Sequence, residues 1–264
     1  MYEFQYHAPA SLRDAVAALK SAEDGKLVAG GMTLIPTLKQ RLARPSDLID
    51  LAKLPELKGI RRDGAAVVIG AMTPHATVAA SDIVAGAIPA LARLAGGIGD
   101  PAVRHRGTIG GSISNNDPAA DYPAALLALG ATVITNEREV AAEDFFTGLF
   151  ETVLAPAEIV TSVRFPIPET SAYEKFRNPA SRYAIVGVYV AKGGFGVRVA
   201  VTGAGPGVFR LPEFEAALTA DFRPEAVAGL KVDAGGLNSD IHASAEYRAH
   251  LVTVMAKRAV AQIV

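Results

Sequence analysis

Two glycine pairs in this chain stand among residues able to hold an anion. "AGGMTL", Ala29 to Leu34, has Gly30 and Gly31 followed by Thr33, and "TIGGSIS" has Gly110 and Gly111 among Thr108, Ser112 and Ser114. Glycine takes positive φ without strain and lets another backbone or a ligand come close. Successive backbone N–H groups in such a turn point the same way and form an anion-binding nest. The first pair feeds a helical pattern, whose free N–H groups and positive dipole end add to that field. The threonine and serine hydroxyls can donate to phosphate oxygens. Two such loops in one domain can grip a pyrophosphate from two sides. A single loop of this kind reads more readily as a tight turn and the two together as a binding site, and a flavin-free phosphate-binding or scaffolding module stays open.

Other chemistries find little support. No G-x-x-x-x-G-K-[ST] occurs. "TGAGPGVF", Thr202 to Phe209, resembles a dinucleotide fingerprint, but Val208 stands where its third glycine belongs. It reads as a strand-to-helix turn. Serine-nucleophile patterns are missing. With no cysteine, the chain holds no disulfide, thiolate metal site or cysteine-ligated iron–sulfur cluster. His7, His75, His105, His242 and His250 show no i, i+4 pair for zinc, and His75 and His105 read as structural or surface residues. Lysine plus arginine is 26 against 27 for aspartate plus glutamate, which argues against nucleic acid or an anionic membrane as main partner. The longest apolar run, around Tyr183 to Ala191, is too short to span a bilayer. "MYEFQYHAPA" lacks the build of a signal peptide, so a cytoplasmic protein is expected.

The elements that must position these loops follow from periodicity. "SLRDAVAALKSAEDG" reads as a helix with Ser11 as N-cap, "KLVAGG" as a strand, "TLIPTLKQRL" as a helix with Pro36 in its first turn, and "DLIDLA" as a strand. Asp63-Gly64 marks a hairpin, Thr73-Pro74 caps a short helix, and "AIPALARLAGG" is a helix stopped by glycines. The stretch Thr108 to Pro123 fits neither period and is read as a loop, with Asp117-Pro118 as a turn former. "DYPAALLALGATVIT" is a helix closed by Gly130 and followed by a strand, and Asp121 can be its N-cap. After about residue 170 come three strand-like runs and then three helices, which suggests a separate small α+β domain. The expected division is 1–170 and 171–264, the first part holding subdomains of about 1–55 and 56–170.

"KLVAGGMTLIPTLKQ" together with "RHRGTIGGSISNNDPAADYPAALLAL" resembles the FAD-binding subunit of the molybdenum hydroxylases, across nearly the whole chain. That resemblance implies a fold of the vanillyl-alcohol-oxidase or p-cresol-methylhydroxylase (PCMH) type, in which two α/β subdomains clasp an extended FAD beside a C-terminal domain. It implies a first cofactor loop of Leu27, Val28, Ala29, Gly30, Gly31, Met32, Thr33 and Leu34. The second comprises Thr108, Ile109, Gly110, Gly111 and Ser112. Further contacts fall on Asp121, Val160, Lys175 as a basic group, and Ile98 against the flavin ring. "SNND", Ser114 to Asp117, departs from the alanine–histidine run common in relatives. The resemblance implies electron transfer from [2Fe–2S] clusters of a small subunit, fed by a molybdenum-cofactor large subunit, to an external acceptor, in a heterotrimer or its dimer. A free-standing flavin oxidase or reductase of the same fold is the rival reading. Gly110→Val is expected to lower FAD affinity and leave the chain folded.

Overall fold

A computed structural model describes residues 1–264 and has the expected mixture of helix and sheet. The first fifty residues alternate as their apolar pattern requires. The Ser11 side chain accepts from Asp14 N, so helix Leu12–Ser21 begins where a hydroxyl satisfies one of its orphan donors. Strands Gln5–His7, Asp47–Asp50 and Gly25–Val28 form a parallel sheet in that spatial order. Parallel strands need crossovers, and Leu12–Ser21 and Leu34–Lys39 supply them. The small core beneath joins Ala15 and Ile49 to Met72 and Ile159, which belong to the next layer.

That layer is a five-stranded antiparallel sheet of Ile60–Asp63, Ala66–Gly70, Val160–Pro166, Thr132–Thr135 and Glu139–Ala141, in spatial order. Gly64, at φ +58°, turns its first hairpin. The central strand, Val160–Pro166, is the last of the five in the chain. Thr73 does not cap the next helix as expected. Its hydroxyl bonds to Gly59, and Pro74 is the N-cap residue.

Helix Tyr122–Leu129 has no polar face, and all eight residues are buried. A helix that is apolar all round belongs in an interior, and this one lies between the five-stranded sheet and a C-terminal sheet. Gly130, left-handed, closes it. The C-terminal sheet is antiparallel, in the order Thr170–Arg177, Ala184–Gly193, Gly196–Thr202 and Phe209–Arg210. Its strand Ala184–Gly193 is apolar without a break from Ala184 to Ala191 because both faces are covered there. Val186, Val188 and Val190 pack towards helices Pro212–Ala220 and Ala245–Ala261, whereas Tyr189 and Ala191 join the large core of the five-stranded layer. "TGAGPGVF" loops from this sheet into a short strand rather than straight into a helix.

Candidate functional site

The first glycine loop leaves strand Gly25–Val28 and enters helix Leu34–Lys39. Gly31 has φ +72°, a conformation that strains any residue with a Cβ. The N–H groups of Gly30, Gly31, Met32, Thr33 and Leu34 find no acceptor within the chain. Five successive unpaired donors are the nest expected from the sequence. Thr33 makes no side-chain capping bond, so its hydroxyl is also free.

The second stretch is a helix, Ile109–Asn115, and corrects the loop reading. Thr108 is its N-cap, accepting from Gly111 N at 3.1 Å. Ile109 N bonds to Thr73 O, Gly110 N to Ala71 O and Ser112 N to Thr108 O. Those donors are therefore spent inside the fold, and this stretch offers hydroxyls instead of a nest. Neither of its glycines has positive φ. Gly110 is required by packing, because a Cβ there would lie 2.5 Å from Ala71 Cβ. The loops also touch: a Cβ on Gly30 would meet Arg106 O at 2.0 Å, and one on Gly111 would meet Ala29 Cβ at 3.4 Å.

Between them lies a cavity of about 500 Å³, a size typical of small-molecule sites. It is lined by Leu27, Ala29, Gly30, Gly31, Met32, Thr33, Leu34, Ile98, Thr108, Gly110, Gly111, Ser112, Asp121 and Val160, fourteen of the residues singled out from the sequence. Val28, Ile109 and Lys175 are not in its wall. Val28 supports the turn at Gly31, and the Ile109 side chain is in the core. Arg104 donates to Ile98 O and Gly99 O at 2.9 Å each and fixes that rim.

Lys175 was expected to touch the cofactor and does not reach the cavity. It is 4% exposed, ion-paired to Asp121 at 2.9 Å and bonded to Gly97 O at 2.9 Å. Its charge reaches the cavity only through Asp121. Asp121 occupies the N-cap position of its helix without capping it, because Tyr173 and Lys175 take its oxygens. Burial raises its pKa, and Lys175 and Tyr173 pull the other way. His75, 4% exposed, lies in the wall with Nδ1 unpartnered. Burial, helped by the Arg104 charge, lowers its pKa to about 4, so at neutral pH it is uncharged.

Sequence reasoning missed Ser181, Arg182 and Tyr183, which line the cavity from the turn that precedes strand Ala184–Gly193. They belonged to a strand in the sequence reading, but the strand starts at Ala184. Asn178 folds them back: its Oδ1 accepts from Ala180 N and Ser181 N, and Arg182 has φ +63°. No local pattern announces that turn.

Residues 2–168 match the family described as the FAD binding domain in molybdopterin dehydrogenase. The chain belongs to that family. It is 37% identical to the carbon monoxide dehydrogenase medium chain of Afipia carboxidovorans, over 97% of this chain and 95% of that one. It is also 37% identical to the nicotine 6-hydroxylase medium subunit of Paenarthrobacter nicotinovorans, over 98% and 96%. A solved structure of reconstituted CO dehydrogenase from Oligotropha carboxidovorans superimposes with a TM-score of 0.92 at 36% identity, covering 99% of this chain and 98% of the other. The chain is an FAD-binding flavoprotein of the molybdenum hydroxylase family, a component of an oxidoreductase. The cavity suits that cofactor: unpaired N–H groups and free hydroxyls at one end match a pyrophosphate, and Gly30 has no room for a side chain. No helix is long and apolar enough to cross a membrane.

Proposed function

We propose that this flavoprotein is the electron-transfer subunit of a cytoplasmic molybdenum hydroxylase. It takes electrons from [2Fe–2S] clusters of a small partner subunit, fed by a molybdenum-cofactor large subunit, and passes them to an external acceptor. The assembly is a heterotrimer or its dimer. The subdomains of about 1–55 and 56–170 clasp the cofactor, and 171–264 covers its ring end.

The observation that carries this reading is the polarity of the cavity. Its wall carries unpaired N–H donors at Gly30–Leu34 and two carboxyl groups, Asp117 and Asp121, on other elements. An anion is favoured by the first and repelled by the second, so Gly30–Leu34 would hold the pyrophosphate, which would leave the ring towards Ile98 and Tyr183. Bound there, the flavin supplies the redox chemistry, and the protein supplies binding, orientation and electrostatics. Thr33, Thr108 and Ser112 would donate to its phosphate oxygens, Val160 and Ile98 would give the ring an apolar seat, and Tyr183 would limit water around it.

Co-expression with a molybdenum subunit and a two-cluster subunit is expected to give a complex whose flavin bleaches anaerobically with the hydroxylase substrate. The isolated chain, yellow with FAD, is expected to stay oxidised in the same mixture. Bleaching of the isolated chain would replace this reading with the free-standing enzyme.

A further inference from the structure

Two carboxyl groups, Asp117 and Asp121, line the cavity, and they are held differently. Asp121 has an ammonium at 2.9 Å and a tyrosine hydroxyl at 2.5 Å. Asp117 accepts a single hydrogen bond, from Ala119 N to its Oδ1 at 2.9 Å, and forms no ion pair. The other charged or titratable groups lining the cavity are Lys26, His75, Asp121, Arg182 and Tyr183. Burial raises the pKa of Asp117, and burial together with Asp117 raises that of Tyr183.

The segment carrying Asp117 cannot swing away. Pro118 O accepts from Gly203 N at 2.8 Å and Thr202 Oγ1 at 3.0 Å, Ala119 O from Ala184 N at 3.4 Å, and Ala120 O from Thr202 Oγ1 at 2.6 Å. Three successive carbonyls are thus fastened to the C-terminal sheet. New negative charge near a fixed carboxylate without a counter-cation raises its pKa further and favours uptake of a proton.

We propose that Asp117 is the proton acceptor coupled to flavin reduction. Two electrons, delivered by an iron–sulfur carrier or a chemical reductant, enter the ring with one proton and leave it one negative charge richer. The Asp117 carboxylate then forms an O–H bond with a second proton drawn from solvent, and returns it on reoxidation. The balance is two electrons and two protons, against two electrons and one proton when Asp117 cannot titrate. This inference rests on the ring lying towards Ile98 and Tyr183.

The test is spectroelectrochemical titration of the full chain reconstituted with FAD, reduced by dithionite from mildly acidic to mildly alkaline pH. Within the window where Asp117 changes protonation on reduction, the wild-type midpoint potential is expected to fall twice as steeply with pH as that of Asp117→Asn. Asp117→Glu should restore the steeper slope. Equal slopes in wild type and Asp117→Asn, with FAD bound in both, overturn the proposal and leave the cofactor reading standing. A wild-type chain that takes up no FAD removes both. Should Asp117→Asn fail to hold FAD, the reduced-minus-oxidised infrared spectrum of the wild type decides. A protonated-carboxyl band that shifts with isotope-labelled aspartate supports the assignment, and its absence overturns it.

Discussion

Gly30-Gly31 and Gly110-Gly111 are alike as sequence, each a glycine pair beside hydroxyl residues. Their backbone donors are used in opposite ways. Those of Gly30 to Leu34 are unpaired and aimed at no protein acceptor, while those of Ile109 to Ser112 are all engaged inside the fold. Glycine serves conformation at Gly31, with φ +72°, and proximity at Gly110, which faces Ala71 with no room for one carbon. A binding loop keeps its donors free and relies on neighbours for support. Here part of the support is the second stretch itself, since Gly111 packs against Ala29, and the rest is the backbone just before it, where Gly30 rests against Arg106 O.

The widest separation between the loops should come from valine at Gly110. A side chain there must displace the Ala71 backbone, and overpacking of this kind costs ~1–3 kcal/mol, occasionally more. Because backbone rather than a flexible side chain must move, we expect about 3 kcal/mol, a drop of roughly 10 °C in Tm of the FAD-free chain. This reverses the expectation from sequence, that Gly110→Val would spare the fold. Gly31→Ala should instead cost ~1–2 kcal/mol through positive φ, with the larger fractional loss in FAD affinity. Calorimetry and flavin titration of both variants check the pair. A Gly110→Val chain with unchanged Tm and no FAD would erase the distinction.

Acid should strain the second stretch selectively. His75 N bonds to Gly107 O, and its ring lies directly under Gly107. In the unfolded chain its imidazole takes a proton near its ordinary value of 6.5, whereas the folded protein resists until about 4. Between these values the unfolded state binds more protons, so stability rises with pH. Its contribution is complete above about 6.5 and lost by about 4, worth about 3 kcal/mol at 1.36 kcal/mol per unit. The pH dependence of Tm should therefore be shallower in His75→Gln across that window. Parallel curves for wild type and variant would mean that His75 is not kept neutral under the second stretch.

What could be read in the sequence was local. Ser11 capping its helix, the Asp63-Gly64 hairpin and the Gly130 stop each depend on a few neighbours. Helix Ile109–Asn115 was illegible because two glycines in its first turn each cost ~1 kcal/mol of propensity. It is held by Thr108 and by contact with Ala71, distant in the chain. The ion pair of Lys175 was illegible for a related reason: nothing local to "YEKF" reveals a carboxylate 54 residues earlier that buries its charge. Most of the cavity wall coincides with residues that the family resemblance singled out, but the part at Tyr183 depends on a turn around Asn178 that carries no motif.

The finest test compares two threonines. Thr108 Oγ1 accepts from Gly111 N, and an N-cap hydroxyl of this kind is worth ~1 kcal/mol to the fold. Thr33 Oγ1 caps nothing. Thr108→Ala should therefore lower Tm measurably, by a few degrees, while Thr33→Ala should leave it within the scatter of a surface change, about 0.5 kcal/mol. Their effects on FAD should converge, since either hydroxyl can donate to a phosphate oxygen. A hydrogen bond to a charged group is worth ~1.5–3 kcal/mol, so each alanine should weaken FAD binding by at least roughly tenfold. Serine at position 33 should restore that affinity, because it keeps the donor and loses only a methyl group. If Thr33→Ala instead destabilises the FAD-free chain and leaves affinity unchanged, the first loop is a structural turn like its counterpart. The cavity would then have to hold its anion by some group other than the Gly30–Leu34 nest.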